Sequence, residues 1–323
     1  MKNYDNKTRH IGIELEFAGL TTKQAAKLVA DVYGGTLVAD SAHQYTVKDT
    51  DFGKFTVELD TQYAHPKSSL QDKADSGDKL GDAIARFDSF MAEVIGDVAQ
   101  GFVPCEIVTP PIPINRLDDI TPLMDALKAH NAEDTRKNPF YAFGMHLNPE
   151  VTSTSAASLC NHLKAFILLE GTLRKQARMD TTRKLLPHTA PFPKAYALLV
   201  TQTTYTPNLS TLIDDYIKHN PTRNRDLDML CVFKWLDKDR VENAIPDMLV
   251  KARPTFHYRL PDFRISDPDW SVQSEWAHWQ QVEALAHNAE RLERLCKDFT
   301  DYLTNSKSPI KDWDTHIREA ISP

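Results

Sequence analysis

Residues 9–19, reading RHIGIELEFAG, carry a two-residue rhythm that constrains this chain more than any other stretch. Ile11, Ile13, Leu15 and Phe17 alternate with Gly12, Glu14 and Glu16, the pattern of a half-buried strand. The apolar set faces a core, and both glutamates emerge on the opposite face with Cβ atoms roughly 7 Å apart. Two carboxylates at that spacing repel unless something positive lies beside them. A divalent cation that prefers oxygen ligands meets that need, although a plain solvent-facing strand carries two glutamates as well.

The remaining chain is read in order for partners to this pair. Thr21 or Thr22 caps a helix running to about Tyr33, with Ala25, Leu28, Val29 and Val32 as its apolar stripe, and Gly34-Gly35 ends it. Short strands are expected at Thr36 to Ala39, Gln44 to Lys48 and Lys54 to Asp60, the last two forming a hairpin around Asp51-Phe52-Gly53. In the second hairpin strand Phe55, Val57 and Leu59 oppose Glu58 and Asp60, a second acidic pair. A helix is expected from Gly77 to Ala99, a strand from Phe102 to Val108 bearing Glu106, and a helix from Leu117 to His130. Between the last two, the proline run from Thr109 to Pro113 cannot continue a ladder. Phe140 to Asn148 reads as a strand with His146 opposite Met145 and Leu147. Helices follow at Ser155 to Met179, Tyr196 to Gln202, Thr211 to His219 and Asp226 to Trp235. Thr255 to Leu260 is the last strand, and Ser271 to Leu303 reads as one long amphipathic helix with a helical tail after Pro309.

Composition narrows the function. The chain has 323 residues, 41% apolar and 26% charged, which suits a folded soluble protein of one large or two ordinary domains. A net charge of -7 gives no overall footprint for nucleic acid or an anionic membrane. No apolar run reaches spanning length and no signal core precedes the first strand, so a cytoplasmic protein is expected. Cys105, Cys160, Cys231 and Cys296 are scattered without a C-x-x-C pair and are read as buried fillers. Only 11 glycines occur, with neither a P-loop nor a G-x-G-x-x-G pattern after a strand. A nucleotide would have to be held by metal ions and basic side chains.

Glu14, Glu16, Glu58, Asp60, Glu106 and His146 each project from the polar face of an expected strand. If those strands share one antiparallel sheet, the six side chains line its face, an arrangement suited to Mg²⁺ or Mn²⁺. Arg174, Arg178, Arg183, Lys184, Arg223, Arg225, Arg253, Arg259 and Arg264 are available as countercharge for phosphates.

The series IGIELEF, VELD, CEIVTPP, GMHLN, Asn224-Arg225 and HYRLP, in that order from about Arg9 to Leu260, resembles the amidoligases. These are enzymes of the carboxylate–amine ligase fold shared with glutamine synthetase and glutamate–cysteine ligase. The resemblance implies an α+β fold, an antiparallel sheet covered by helices on one face. It also implies a catalytic domain over residues 1–265; the helical C-terminal extension, 266–323, which the motifs do not cover, is expected from its own amphipathic pattern to pack on that domain. It implies an ATP-dependent ligase: the γ-phosphoryl group passes to a substrate carboxylate, and an amine then displaces phosphate from the acyl phosphate. By the same resemblance Glu14, Glu16, Glu58, Glu106 and His146 hold metal. Arg259 with Arg183 or Arg225 stabilises the transferring phosphoryl, Lys184 and Asn224 help bind ATP, and Asp60 either orients the amine or supports the metal ligands from behind. One position departs from the family pattern: His257 stands where the late strand usually carries glutamate two residues before Arg259. A neutral imidazole still ligates metal but brings no charge, so the number and affinity of bound ions are open there.

Two other readings fit the same residues. A metal-dependent hydrolase uses clustered carboxylates and a histidine without ATP. A degenerate, non-catalytic binding protein is the other, and Trp270, Trp276, Trp279, Leu285, Leu292, Leu295 and Phe299 on the C-terminal helix offer it a partner surface unless they pack on their own domain. The carboxylate and amine substrates, whether small molecule, peptide or protein, are not legible.

Overall fold

The computed structural model describes residues 2–59, 104–134, 143–178 and 190–321. Asp60, Arg183, Lys184 and the expected helix from Gly77 to Ala99 lie outside these residues.

The alternation that opens the chain forms β1 (His10–Phe17), whose Ile11, Ile13, Leu15 and Phe17 are fully buried. It sits centrally in an antiparallel sheet. With β2 (Thr36–Ala39), β3 (Gln44–Thr50), β4 (Gly53–Leu59), β5 (Cys105–Val108), β7 (Met145–Pro149), β8 (Leu227–Asp228) and β9 (His257–Tyr258), the spatial order is β2-β3-β4-β5-β1-β7-β9-β8. A two-residue strand, β6 (Ile112–Pro113), pairs with the start of β1. The hairpin joining β3 and β4 turns at Gly53, whose φ of 110° is a conformation that glycine adopts without steric cost.

The register sorts side chains onto two faces. Val57, Ile107, Leu15 and Met145 are successive cross-strand neighbours, as are Ile13, Leu147, Tyr258 and Leu227, and all are buried hydrophobics. Helices cover this face. α1 (Thr22–Tyr33) begins with a capping box between Thr21 and Gln24 and lays Tyr33 flat on Phe55, ring centroids 5.2 Å apart. α3 (Ala156–Gln176) and α8 (Val272–Ala286) cover the other half, where Phe166 and Trp279 meet Tyr258. The other helices are α2 (Thr121–Ala129), α4 (Lys194–Thr201), α5 (Leu209–His219), α6 (Leu230–Leu236), α7 (Lys238–Ala244), α9 (Ala289–Thr304) and α10 (Trp313–Ile321). All four cysteines are free and buried.

Four local expectations are corrected. The proline run re-enters the sheet as β6, because a proline lacking its own amide still lets the next residue donate: the Ile114 amide reaches the Arg9 carbonyl at 3.0 Å. The helix expected from Asp226 begins only at Leu230, after Leu227 and Asp228 have paired with β9. In the late strand only His257 and Tyr258 are strand residues. The long C-terminal helix is two helices, because Asn288 leaves helical geometry and caps α9 by accepting from the Arg291 amide at 3.0 Å. Trp270, Trp276, Trp279, Leu285, Leu292, Leu295 and Phe299 are all buried, so the stripe packs on its own core and offers no partner surface.

The region after residue 265 is tied to the first strand by a buried ion pair. Both Arg9 Nη groups donate to the Glu283 carboxylate, which also accepts from Trp279 Nε1 at 2.7 Å. No helix among the described residues is long and apolar enough to cross a membrane.

Candidate active site

On the face away from the helices, pairing places the polar side chains in rows. Gln44, Glu58, Glu106 and Glu16 are successive cross-strand neighbours on β3, β4, β5 and β1. Two residues along β1, Glu14 lies across from His146, and Gly12 lies across from Asn148. Asp228 lies across from His257 at the far edge.

Hydrogen bonds then aim individual atoms. Glu14 Oε2 accepts from His146 Nδ1 at 2.9 Å, and Oε1 accepts from Asn148 Nδ2 at 2.9 Å. With Nδ1 donating, His146 Nε2 carries its lone pair toward Glu16 Oε1, 3.6 Å away. Glu16 Oε2 accepts from the Gly144 amide at 2.7 Å, which holds the carboxylate in place. Glu58 accepts from Gln44 Nε2 at 2.6 Å. Two groups of ligand atoms come within 4.8 Å of one another here: Glu16 with Glu106 and His146, and Glu14 with His146 and His257. Glu58 adjoins Glu106 in register but belongs to neither group.

Charge follows from burial and neighbours. Burial and the Arg259 guanidinium push His146 well below the usual histidine range, so the ring is neutral and free to ligate. Burial alone would raise Glu14, but the charge of His257 and the bond from His146 outweigh it and hold the carboxyl well below its usual range. His257 runs the other way. Burial lowers it, but Glu14 and Asp228 on its two sides raise it to about 9 in the metal-free protein. Its Nε2 lies 3.6 Å from Glu14 and its Nδ1 3.7 Å from Asp228.

The basic residues divide sharply. Arg253 Nη2 donates to Asn148 Oδ1 at 2.7 Å and lies 3.4 Å from Glu14 Oε1, and Arg259 is close enough to depress His146. Others are engaged elsewhere. Arg174 binds Asp226 at 2.6 Å, Arg264 binds Asp267 at 3.1 Å, Arg178 approaches Asp267 at 3.6 Å, and Arg223 approaches Asp247 at 3.7 Å. Arg225 donates to Asn220 Oδ1 and to the Pro191 carbonyl, both at 2.8 Å. Asn224 adjoins it, with its amide on Thr222 Oγ1.

Sequence reasoning missed Asn148, Asp228 and Cys231. Asn148 had a signal, being two residues beyond His146 on the same strand face. Asp228 and Cys231 had none, because they sit in a run that reads as helix.

Comparison with known proteins gives one result. No curated protein matches this chain, and no solved structure does. A family model described as "Putative amidoligase enzyme" matches residues 7–281, which takes in every strand of the sheet and most of α8. The chain belongs to the amidoligase family.

Proposed function

We propose that this protein is an ATP-dependent carboxylate–amine ligase. The observation that carries the reading is the convergence of Glu14, Glu16, Glu106 and His146 on one sheet face, with Arg253 and Arg259 at its border, in a chain of this family. The donor set of carboxylate oxygens with one neutral imidazole fits Mg²⁺ or Mn²⁺. A bound divalent ion would supply neutralisation of phosphate charge, which a chain without a glycine-rich phosphate loop obtains only from ions and basic side chains.

The remaining roles belong to the chain's own residues. Gly144 and Asn148 hold the Glu16 and Glu14 carboxylates, so their outer oxygens stay fixed without ordering cost when ligand arrives. Arg259 stabilises charge on the transferring phosphoryl group, as guanidinium groups do in phosphoryl transfer. The family motifs give Arg183 or Arg225 to the transferring phosphoryl beside Arg259, Lys184 and Asn224 to the nucleotide, Asp60 to the amine and Glu58 to the metal; Arg225 would have to release Asn220 or Pro191 to take that role. In the reaction a substrate carboxylate oxygen attacks the γ-phosphorus as ADP leaves. The amine nitrogen then attacks the acyl carbon, phosphate departs, and the nitrogen loses a proton.

The test uses a carboxylate labelled with heavy oxygen, supplied with ATP and an amine. A ligase working through an acyl phosphate delivers one labelled oxygen to the released phosphate. ATP turnover with unlabelled phosphate contradicts the acyl-phosphate route, and amide cleavage without ATP favours the hydrolase reading.

A further inference from the structure

At the β8 edge, where the chain leaves the sheet for α6, a second group of ligand-type side chains meets His257 from below. Asp228 Oδ1 accepts from the Leu230 amide at 2.8 Å, which pins the carboxylate with Oδ2 toward His257 Nδ1, 3.7 Å away. Cys231 lies in the first turn of α6, its carbonyl held by the Arg253 amide at 3.2 Å. The ring of His257 is fixed edge-on to His146, centroids 5.1 Å apart. Asp228, Cys231 and His257 are 2%, 3% and 5% exposed, and their ligand atoms lie within 4.8 Å of one another. Among the described residues, Cys105, Cys160 and Cys296 belong to no such group.

This donor set differs in kind from the carboxylate-rich one beside it. One thiol, one imidazole and one carboxylate make the three-protein-ligand pattern of zinc, whereas Mg²⁺ has little affinity for sulfur. Tetrahedral zinc separates its ligand atoms by roughly 3.3–3.8 Å, so no pair here need close by more than about 1–1.5 Å, within reach of side-chain rotation. Charge also balances, since a thiolate and a carboxylate offset a dication and leave the buried site neutral.

We propose that Asp228, Cys231 and His257 Nδ1 form a second metal site, selective for Zn²⁺-class ions over Mg²⁺, next to the nucleotide-binding face. Binding exchanges the Cys231 S–H bond for a metal–sulfur bond and the His257 Nδ1–H bond for a metal–nitrogen bond, and both protons leave to solvent. The His257 departure from the family pattern then marks a change of metal class at this edge. The site is independent of nucleotide, so the ligase reading can fail without it, and the reverse.

Cobalt reports on it directly. Chelator-stripped, reduced protein titrated with Co²⁺ should develop a near-ultraviolet thiolate-to-cobalt charge-transfer band that saturates at one ion. Zn²⁺ should displace that band at equal concentration, and a large excess of Mg²⁺ should not. Cys231→Ser should abolish it. Asp228→Asn, which keeps the Oδ1 bond to Leu230 and serves if the serine variant does not fold, should weaken Co²⁺ binding on the order of a hundredfold. Absence of the band in the wild type, its survival in Cys231→Ser, its displacement by Mg²⁺, or unchanged Co²⁺ affinity in Asp228→Asn would each overturn the proposal.

Discussion

Replacing Glu283 with glutamine takes a bidentate carboxylate away from a guanidinium buried between the first strand and the helices that cover it. Arg9 is 1% exposed, and the carboxylate it loses is the one that neutralises it. Among the contacts that stay are the bond from Nε to the Glu150 carbonyl at 2.7 Å and the Trp276 ring 5.9 Å away. Removing one partner of a buried pair costs roughly 3–5 kcal/mol, and these residual contacts put the expectation near about 3 kcal/mol. Replacing both, Arg9→Met with Glu283→Leu, removes the buried charge together with its carboxylate. It still forfeits the Nε bond and the acceptor of Trp279 Nε1, each on the order of 1 kcal/mol. The double variant should therefore be no less stable than Glu283→Gln, and clearly more stable than the sum of its singles Arg9→Met and Glu283→Leu implies. Urea unfolding followed by tryptophan fluorescence gives all the values. A loss below about 1 kcal/mol for Glu283→Gln, or a double variant equal to the sum of its singles, would mean that water reaches the pair and that the buried-charge argument fails.

Three further outcomes are expected. In chelator-treated protein His257 has its value raised from 6.5 to about 9, so its pairing stabilises the fold fully below 6.5 and is lost as pH rises through about 9. Thermal melts across that window should decline in the wild type and flatten in His257→Gln, and a flat wild-type profile contradicts the ion pairing. Gly35→Ala should cost about 2–3 kcal/mol, since its φ is +98° and a Cβ would meet the Lys48 carbonyl at 2.3 Å; an unchanged melting temperature would show that the Gly34-Gly35 turn re-routes freely. Asn148→Ala frees both Glu14 and Arg253 and should weaken Mn²⁺ binding roughly tenfold by calorimetry. Equal affinity would remove Asn148 from the site.

What was legible in the sequence is what a period of two encodes. β1, β4, β5 and β7 each state in their own residues which face is buried, so alternation alone puts Glu14, Glu16, Glu58, Glu106 and His146 on the polar faces of their strands. The two edge strands β8 and β9 are only two residues each and are set by tertiary pairing, so Asp228 read as helix and His257 read as part of a longer strand. Helix breaks were legible only where the hydrophobic repeat breaks. Between α8 and α9 the chain leaves helical geometry for a residue or so, and the stripe continues nearly in phase across Asn288. The basic residues were least legible. Spacing places Arg174 and Arg253 in the chain, but their partners, Asp226 and Glu14, come from distant segments.

The central claim is that the carboxylate face holds a nucleotide through divalent metal. It is tested most directly by calorimetric titration of ATP into the protein with Mg²⁺ or Mn²⁺ and again in EDTA, for the wild type and for Glu16→Gln. The account predicts a metal-dependent affinity that falls on the order of a hundredfold without the ion, and a comparable loss in Glu16→Gln even with metal present. Equal affinity for ATP with metal and with EDTA would contradict it.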